Sequence, residues 1–247
     1  MIRKILFFLG VSLMLISCQF TETMVLNEDG SGTISVEVDL SEMMAFGGMD
    51  AIDSSIIKMD TIISVKQYLQ ENKDSIASLS KKEQMKLKKL ENYNIRLKMN
   101  SESSEMIYNI STTFKSVNEA NDMIQGLDKA GDFIPGTNEN PEDAKKEEES
   151  PDIIGVNYSF INGVFKRDAY IKDKKLHRQE VDSLQQTETF LQGSNYTINY
   201  TFPKPIKKVS NTAATLSNNK KTLTLQKAFI DYFKNPDLLD LEVELEN

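Results

Sequence analysis

The sequence contains very few of the residues that build disulfides, metal sites and aromatic platforms. Its 247 residues include one cysteine, one histidine and no tryptophan. A disulfide needs two cysteines, and a zinc site usually takes three or four ligands, mostly Cys or His. The composition therefore excludes an internal disulfide, and we predict no metal and no cofactor. The absence of tryptophan also weakens the case for a carbohydrate-binding platform.

Candidate catalytic and calcium-binding residues are equally scarce. His177 lies in the charged stretch KDKKLHRQE, and no G-x-S-x-G nucleophile motif accompanies it. We expect a solvated surface side chain there and predict no catalytic residue. The stretch NEDGSG invites comparison with a calcium loop, but an EF-hand register would place Val25 and Val36 at its first and last ligand positions. Valine has no side-chain oxygen, so no calcium site is predicted.

Long apolar runs are missing except at the N-terminus. Arg3 and Lys4 are followed by 13 uncharged residues, from Ile5 to Ser17. Crossing a bilayer takes about 20 apolar residues, so this run is short for a membrane span. A basic head followed by an apolar run of this length is typical of an export signal. We therefore predict a signal peptide over residues 1–17 and a single mature domain over residues 18–247.

The single cysteine directly follows this run. The residues before Cys18 are Leu15-Ile16-Ser17, an order that resembles the lipobox of bacterial lipoproteins. The resemblance implies that diacylglycerol alkylates the thiol, that the signal is cut before Cys18, and that the new amine is acylated. The alternatives are an ordinary cleaved signal with a chance cysteine, or an uncleaved anchor. Because two or three acyl chains hold a protein stably in a bilayer, the predicted partner is a membrane, bound through an N-terminal lipid anchor.

Negative charge exceeds positive charge along the chain. The formal net charge is −8, and it becomes about −10 when Arg3 and Lys4 leave with the signal. Binding to phosphates needs clustered cations, so we predict no nucleic-acid partner. Residues 131–152 are polar, rich in acidic residues and interrupted by three prolines. That composition predicts a mobile acidic loop rather than a linker between folded halves.

Alternating apolar and polar residues predict a series of antiparallel hairpins. Residues 33–40 alternate after a turn formed by Asp29-Gly30-Ser31-Gly32. Two more hairpins are predicted over 93–114 and 155–171, and Asn162-Gly163 in the last one is the strongest turn signal in the chain.

Segments with helical spacing follow these hairpins, at 41–48, 116–127 and 180–191. Two further helices are predicted at roughly 53–73 and 80–91. The predicted fold class is α+β, a mostly antiparallel sheet built from hairpin-then-helix units, with the helices on one face.

The second of those two helices has a side rich in lysine. Its lysines are Lys81, Lys82, Lys86, Lys88 and Lys89. At about 100° per residue, Leu79, Leu87 and Leu90 fall on the other side. One hypothesis is contact with an anionic lipid or lipopolysaccharide surface, where each nearby lysine contributes about 1 kcal/mol. The other is an ordinary amphipathic helix packed on the sheet.

Three tripeptides combine an aspartate with a hydroxyl residue. They are Asp60-Thr61-Ile62, Asp74-Ser75-Ile76 and Asp182-Ser183-Leu184. They resemble the O-glycosylation acceptor of exported Bacteroidota proteins, which makes Thr61, Ser75 and Ser183 candidates for modification. Aspartate and serine also cluster at helix starts because their side chains cap backbone N–H groups, so both explanations stay open.

The start of the mature chain has a recognisable order of elements. Cys18 is followed by a predicted strand, by LNEDGSG, by a second strand and by SEMM. This order is similar to uncharacterised lipoproteins of Bacteroidota. Together with a late strand running into Phe202-Pro203, it also resembles the LppM-like lipoprotein domain. The resemblance implies an exported, tethered α+β domain that holds a lipid or glycolipid, although this chain lacks that family's C-terminal membrane span and its tryptophan in the last strands.

Three classes of function are compatible with these residues. The leading hypothesis is a non-enzymatic lipoprotein of the cell envelope that acts as a binding or interaction module for envelope proteins or lipid. The second is a carrier or sensor for a lipid or glycolipid, and the third is an envelope hydrolase that uses paired carboxylates. Gln19 is not the aspartate associated with inner-membrane retention, and QFTET lacks an acidic surface-export cluster. The predicted location is therefore the periplasmic face of the outer membrane, in a host with two membranes.

Overall fold

The computed structural model describes residues 18–45, 58–121 and 153–247. The first five strands are β1 (Gln19–Leu26), β2 (Gly32–Asp39), β3 (Lys58–Ser64), β4 (Tyr93–Asn100) and β5 (Glu105–Phe114). The next seven are β6 (Ile154–Ile161), β7 (Val164–Ile171), β8 (Asn195–Thr201), β9 (Ile206–Val209), β10 (Thr215–Leu216), β11 (Thr222–Ala228) and β12 (Leu241–Leu245). The helices are α1 (Ser41–Ala45), α2 (Val65–Glu71), α3 (Lys73–Ala77), α4 (Lys81–Lys89), α5 (Lys174–Leu191) and α6 (Phe229–Lys234).

Strand β1 lies near the middle of an eight-stranded sheet, whose order is β10-β11-β8-β1-β2-β5-β4-β3. Neighbouring strands are antiparallel except β1 and β8, which run parallel with Gln19 opposite Asn195 and Val25 opposite Thr201. A tight turn cannot join parallel strands, so the chain reaches β8 only after it has passed through β2 to β7 and α5. One neighbour of β1 is thus close in sequence and the other is distant.

Four strands form a second antiparallel sheet, in the order β6-β7-β12-β9. Along β7, Phe165, Arg167 and Ala169 are buried and the residues between them are exposed. The buried side faces the larger sheet, because the Phe165 ring lies 5.5 Å from the ring of Tyr200 and 5.3 Å from that of Phe202, between centroids. The two sheets therefore form a sandwich with the core between them.

Helices connect several of the strands of this sandwich. Helices α2 to α4 lead from β3 to β4, and Val65 at the start of α2 is fully buried in the core. Helix α5 begins after Asp173, whose Oδ1 accepts hydrogen bonds from the backbone N–H groups of Lys175 and Leu176 at 2.9 Å. This is an N-cap of the usual kind, and it explains why α5 starts before the helix predicted at 180–191.

The predicted α+β class with mostly antiparallel pairing is confirmed, and so are the three hairpins. At the last hairpin, Asn162 and Gly163 both have positive φ, as that turn requires. The sequence predicted one sheet, whereas two form. The predicted signal peptide over 1–17 and the acidic loop over 131–152 lie outside the described residues.

Two predicted helices are wrong in part. Residues 58–64, inside the helix predicted over 53–73, form β3 paired with β4. The run Thr61-Ile62-Ile63 has β-branched side chains, and pairing with β4 favours the strand. In the helix predicted over 116–127, Val117–Ala120 form only a 3₁₀ turn, and residues 122–127 lie outside the described part of the chain.

Two glycines at turns provide a test of the backbone geometry. A Cβ added to Gly32 would lie 2.1 Å from the carbonyl oxygen of Val25 and 2.7 Å from Cζ of Phe114, whereas a Cβ on Gly163 meets nothing within 4 Å. Gly163 has φ of +75°, so an alanine there costs backbone strain of about 1–2 kcal/mol. We expect Gly32→Ala to lower the free energy of unfolding by more than Gly163→Ala, as measured by urea denaturation. Equal losses would show that β1 can move away from β2 at little cost.

Candidate functional site

Cys18 directly precedes β1 and is fixed by its backbone. Its N–H donates to Oγ of Ser194 at 2.8 Å, and its carbonyl oxygen accepts from the N–H of Asn195 at 3.3 Å. The side chain is buried. Burial, together with the charges of Asp39 and Glu42, raises the pKa of the thiol. In the folded chain the thiol is therefore protonated, which is its less nucleophilic form.

A carboxylate lies at the centre of the sandwich. Glu22 of β1 has no exposed surface, and its two oxygens accept four hydrogen bonds. Oε1 accepts from the hydroxyls of Tyr158 and Tyr200. Oε2 accepts from the hydroxyl of Tyr196 at 2.7 Å and from Nη2 of Arg167 at 3.3 Å. Donors from both sheets thus converge on one side chain, and we call this group the Glu22 cluster.

Arg167 makes further contacts in addition to the one with Glu22. Its Nη1 donates to the carbonyl oxygen of Leu239 at 3.3 Å, and its Nη2 donates to the hydroxyl of Tyr232 at 3.5 Å. The guanidinium carbon lies 5.8 Å from the centroid of the Tyr232 ring. Its Nε has no hydrogen-bond partner within the described structure. Besides Glu22, the 3₁₀ turn Pro236–Leu239 and α6 thus hold the cation.

These contacts fix the protonation states of the cluster. Burial alone would raise the pKa of Glu22, but the charge of Arg167 and the three tyrosine hydroxyls outweigh it and lower that pKa. Burial, followed by the charge of Glu22, raises the pKa of Tyr158, Tyr196 and Tyr200 well above that of ordinary tyrosine. The carboxylate therefore stays ionised and the three hydroxyls stay protonated, which keeps every acceptor matched to a donor.

The Glu22 cluster connects the two sheets. It lines neither the groove among α2, α3 and α4 nor the pocket beside the β1–β2 and β6–β7 turns. All four acceptor sites on Glu22 are occupied by these hydrogen bonds. Sequence reasoning missed this cluster. The available signal was Glu22 at an inward position between Phe20 and Met24, because a charge at that position is costly unless it is paired.

Residues of α2, α3 and α4, with Glu91 after α4, line an open groove of about 600 Å³. We call it the lysine groove, and its lining residues are Lys66, Leu69, Gln70, Lys73, Ile76, Lys81, Gln84, Met85, Lys88 and Glu91. The side-chain amide of Gln84 donates to the carbonyl oxygens of Ala77 at 3.3 Å and Leu79 at 2.9 Å. These bonds hold α4 against the end of α3 and keep the groove open between them.

The structure places only part of the predicted lysine side in this groove. Lys81 and Lys88 line it, whereas Lys89 is exposed and is not among its lining residues. The side chains of Lys82 and Lys86 lie outside the described residues. Lys66 and Lys73, on the opposite wall, were missed because they belong to α2 and α3.

A second pocket, also of about 600 Å³, lies beside the turns β1–β2 and β6–β7. Its lining includes Asp29, Asn162, Lys204 and Glu246, so it carries charges of both signs. Asp29 accepts hydrogen bonds from the backbone N–H and hydroxyl of Ser31, which lower its pKa. That carboxylate already has partners within its own turn.

The remaining predicted residues are scattered over the surface. Thr61 lies on β3, Ser75 on α3 and Ser183 on α5, and all three are exposed. The hydroxyl of Ser183 donates to the carbonyl oxygen of Gln179 at 3.0 Å, one helical turn earlier. Nothing in the fold brings these three residues together.

The expectation of a solvated His177 is wrong. The side chain is 6% exposed, and its Nε2 lies 2.7 Å from the carbonyl oxygen of Phe233. His177 is therefore a packing and hydrogen-bonding link between α5 and α6. Among residues 18–45, 58–121 and 153–247, no group of three His, Cys, Asp or Glu side chains is placed to hold a metal ion.

None of the helices in those three ranges is both long enough and apolar enough to cross a membrane.

No protein-family model matches the chain, and no curated protein sequence matches it. Among solved structures, the chain is similar to the NMR structure of the folded domain of LppM from Mycobacterium tuberculosis. The TM-score is 0.40 at 4% identity, over 96% of this chain and 95% of that chain. The LppM-like resemblance is thus supported only as a weak similarity of fold, and it carries no information about ligand or activity.

The Glu22 cluster predicts a large effect from a small substitution. Glu22→Gln keeps the shape of the side chain but leaves the Arg167 charge buried without its counter-ion. We expect a loss of about 3–5 kcal/mol in the free energy of unfolding at pH 7, measured by urea denaturation. Asp60→Asn is the matched control, since the Asp60–Arg96 pair is 46% and 47% exposed, and its loss should be far smaller. Similar losses in the two variants would contradict a connecting role for Glu22.

The cluster also predicts a pH dependence. The pKa of Glu22 is lower in the folded chain than its ordinary value of 4.5. A carboxyl group with a lowered pKa stabilises the fold at pH values above 4.5. It loses that contribution as the pH falls from 4.5 toward the pKa that the group has in the folded chain. We expect the difference in unfolding free energy between wild type and Glu22→Gln to be constant from pH 7 to 5 and to shrink below pH 4.5. A difference that stays constant down to pH 3 would rule out this titration.

Proposed function

We propose that residues 18–247 form a non-enzymatic binding or interaction module of the cell envelope, anchored by lipid on Cys18 at the periplasmic face of the outer membrane. The observation that carries this proposal is the position of Cys18 directly before β1. No linker separates the proposed anchor from the folded domain. A lipid on Cys18 would hold the N-terminal end of β1, a central strand of the larger sheet, at the bilayer surface.

The backbone contacts of Cys18 are compatible with the proposed modification. Acylation of the new amine after signal cleavage produces an amide, which keeps one hydrogen on nitrogen. That hydrogen can still be donated to Oγ of Ser194, as the Cys18 N–H is in this structure. The buried, protonated thiol is a poor nucleophile in the folded chain, so alkylation would precede folding.

Two features support binding rather than hydrolysis by paired carboxylates. Glu22 is fully buried and already accepts four hydrogen bonds. Asp240, whose pKa is raised by burial and by the neighbouring charges of Asp237 and Asp168, accepts the N–H of Ala169 and lines neither pocket. A general acid needs a raised pKa and access to substrate, and neither carboxylate has both.

A carrier or sensor role is the second candidate, and the lysine groove favours it. The space between the sheets is filled by large side chains such as Phe165, Tyr200 and Phe202, each at most 2% exposed. A ligand held between the sheets would have to displace them, at a high cost in packing. An external groove accepts a ligand without that cost.

The anchor is tested by membrane fractionation and intact mass of wild type beside Cys18→Ala. We expect wild type in the membrane fraction, lighter by the signal peptide and heavier by acyl chains, and we expect the variant to lose both changes. Ser194→Ala is the matched control, since it removes the hydrogen-bond partner of Cys18 but keeps the thiol, and it should remain acylated. A soluble, unacylated wild-type protein would overturn the anchor and the location together.

A further inference from the structure

The lysine groove combines an exposed apolar floor with cationic rims. Leu69 and Ile76 come from α2 and α3, and Met85 comes from α4. Met85 is 65% exposed. Leu79, in the connection between α3 and α4, is 38% exposed. Large apolar side chains left exposed in a concave site are a feature of ligand pockets, whose usual volume of about 300–1,000 Å³ includes this groove.

All three helices contribute cations to the groove. Lys66 comes from α2 and Lys73 from α3, and Lys81 and Lys88 both come from α4. Seven residues of helix span about 10 Å, so Lys81 and Lys88 lie roughly two turns apart along α4. Lys88 pairs with Glu91 at 2.5 Å, and Glu91 is the one acidic residue among the lining side chains that the structure describes.

From this geometry we infer that the lysine groove binds a single-chain anionic amphiphile, such as a long-chain fatty acid anion. The alkyl chain lies on Leu69, Ile76 and Met85, where it removes apolar surface from water. The anionic head group pairs with lysines of the groove. The ligand's own alkyl chain partly shields this pair of charges from solvent, which strengthens their attraction. The inference rests on the proposed binding role and gives it a ligand class, but it does not depend on the lipid anchor.

The arrangement of the apolar side chains favours a single chain over a flat membrane surface. Leu69, Ile76 and Met85 come from three different helices that line one open groove. A single chain can enter such a groove and cover the floor. The groove also belongs to the β3–β4 end of the larger sheet, four strands from β1 and Cys18.

The test uses the full chain in nanodiscs of zwitterionic lipid and a decanoate probe with a diazirine near the end of its chain. After irradiation, mass spectrometry locates the labelled peptides. We expect saturable labelling on α2, α3 and α4, and we expect unlabelled decanoate to compete. Decyltrimethylammonium and decyl maltoside have the same chain without the negative charge, so both should compete at least tenfold less well.

Two variants separate charge from apolar contact. Lys73→Glu with Lys81→Glu reverses one cation on each wall and should raise the half-saturating concentration of the probe at least tenfold. Lys174→Glu with Lys175→Glu makes the same changes on the exposed start of α5 and should leave labelling unchanged. Met85→Asp tests the floor and should weaken labelling to a similar degree. Urea denaturation of each variant confirms that the fold is kept.

Several results would overturn the inference. One is labelling spread evenly over the surface, and another is equal competition by all three ten-carbon compounds. A third is labelling that the groove variants leave unchanged. Charge-dependent binding to anionic vesicles without decanoate labelling would assign the lysines to a membrane surface instead. Acylation of Cys18 is read from the intact mass of the same sample, so failure of the anchor and failure of the groove are seen separately.

Discussion

The architecture of this protein depends on an ion pair that water does not reach. Glu22 on the larger sheet and Arg167 on the smaller one meet at the centre of the sandwich, and both have fully buried side chains. Removing two charges from water is expensive, and only close, well-matched partners offset that cost. The three tyrosine hydroxyls complete the set around the carboxylate. A slip of β1 by one residue would turn Glu22 to the outer face, so the pair also fixes the register of the central strand.

Local patterns in the sequence predict the local parts of this fold. Alternation and the Asn162-Gly163 turn are sufficient for the hairpins, because both depend on residues close in sequence. The pairing of β1 with β8 and the contact between Glu22 and Arg167 are different, since 145 residues separate the two charges. No periodicity encodes such a contact. The strand β3 was missed because Met59, Ile62 and Ile63 suit a helix as well as an edge strand, and its pairing with β4 favours the strand.

In the lysine groove, too, the sequence predicts only what lies within one helix. Lys81 and Lys88 could be predicted because they share one helical face. Lys66 and Lys73 could not, since only the packing of α2 and α3 beside α4 brings them to the opposite wall. The interior and the groove also use charge in opposite ways. Inside the sandwich, Glu22 and Arg167 satisfy each other and fix the fold, whereas the described lining of the groove has four lysines and one acidic residue, Glu91.

The parallel pairing of β1 with β8 has a consequence for the order of folding. β1 is the first strand of the chain, yet its neighbour β8 begins at Asn195, and the partners of Glu22 are Tyr158, Arg167, Tyr196 and Tyr200. During synthesis, the β1–β2 hairpin emerges with the β8-facing side of β1 unpaired and the charge of Glu22 unmatched. Contacts between distant residues slow folding, because the intervening chain must be ordered first. The β1 strand therefore reaches its final pairing only once most of the chain has emerged.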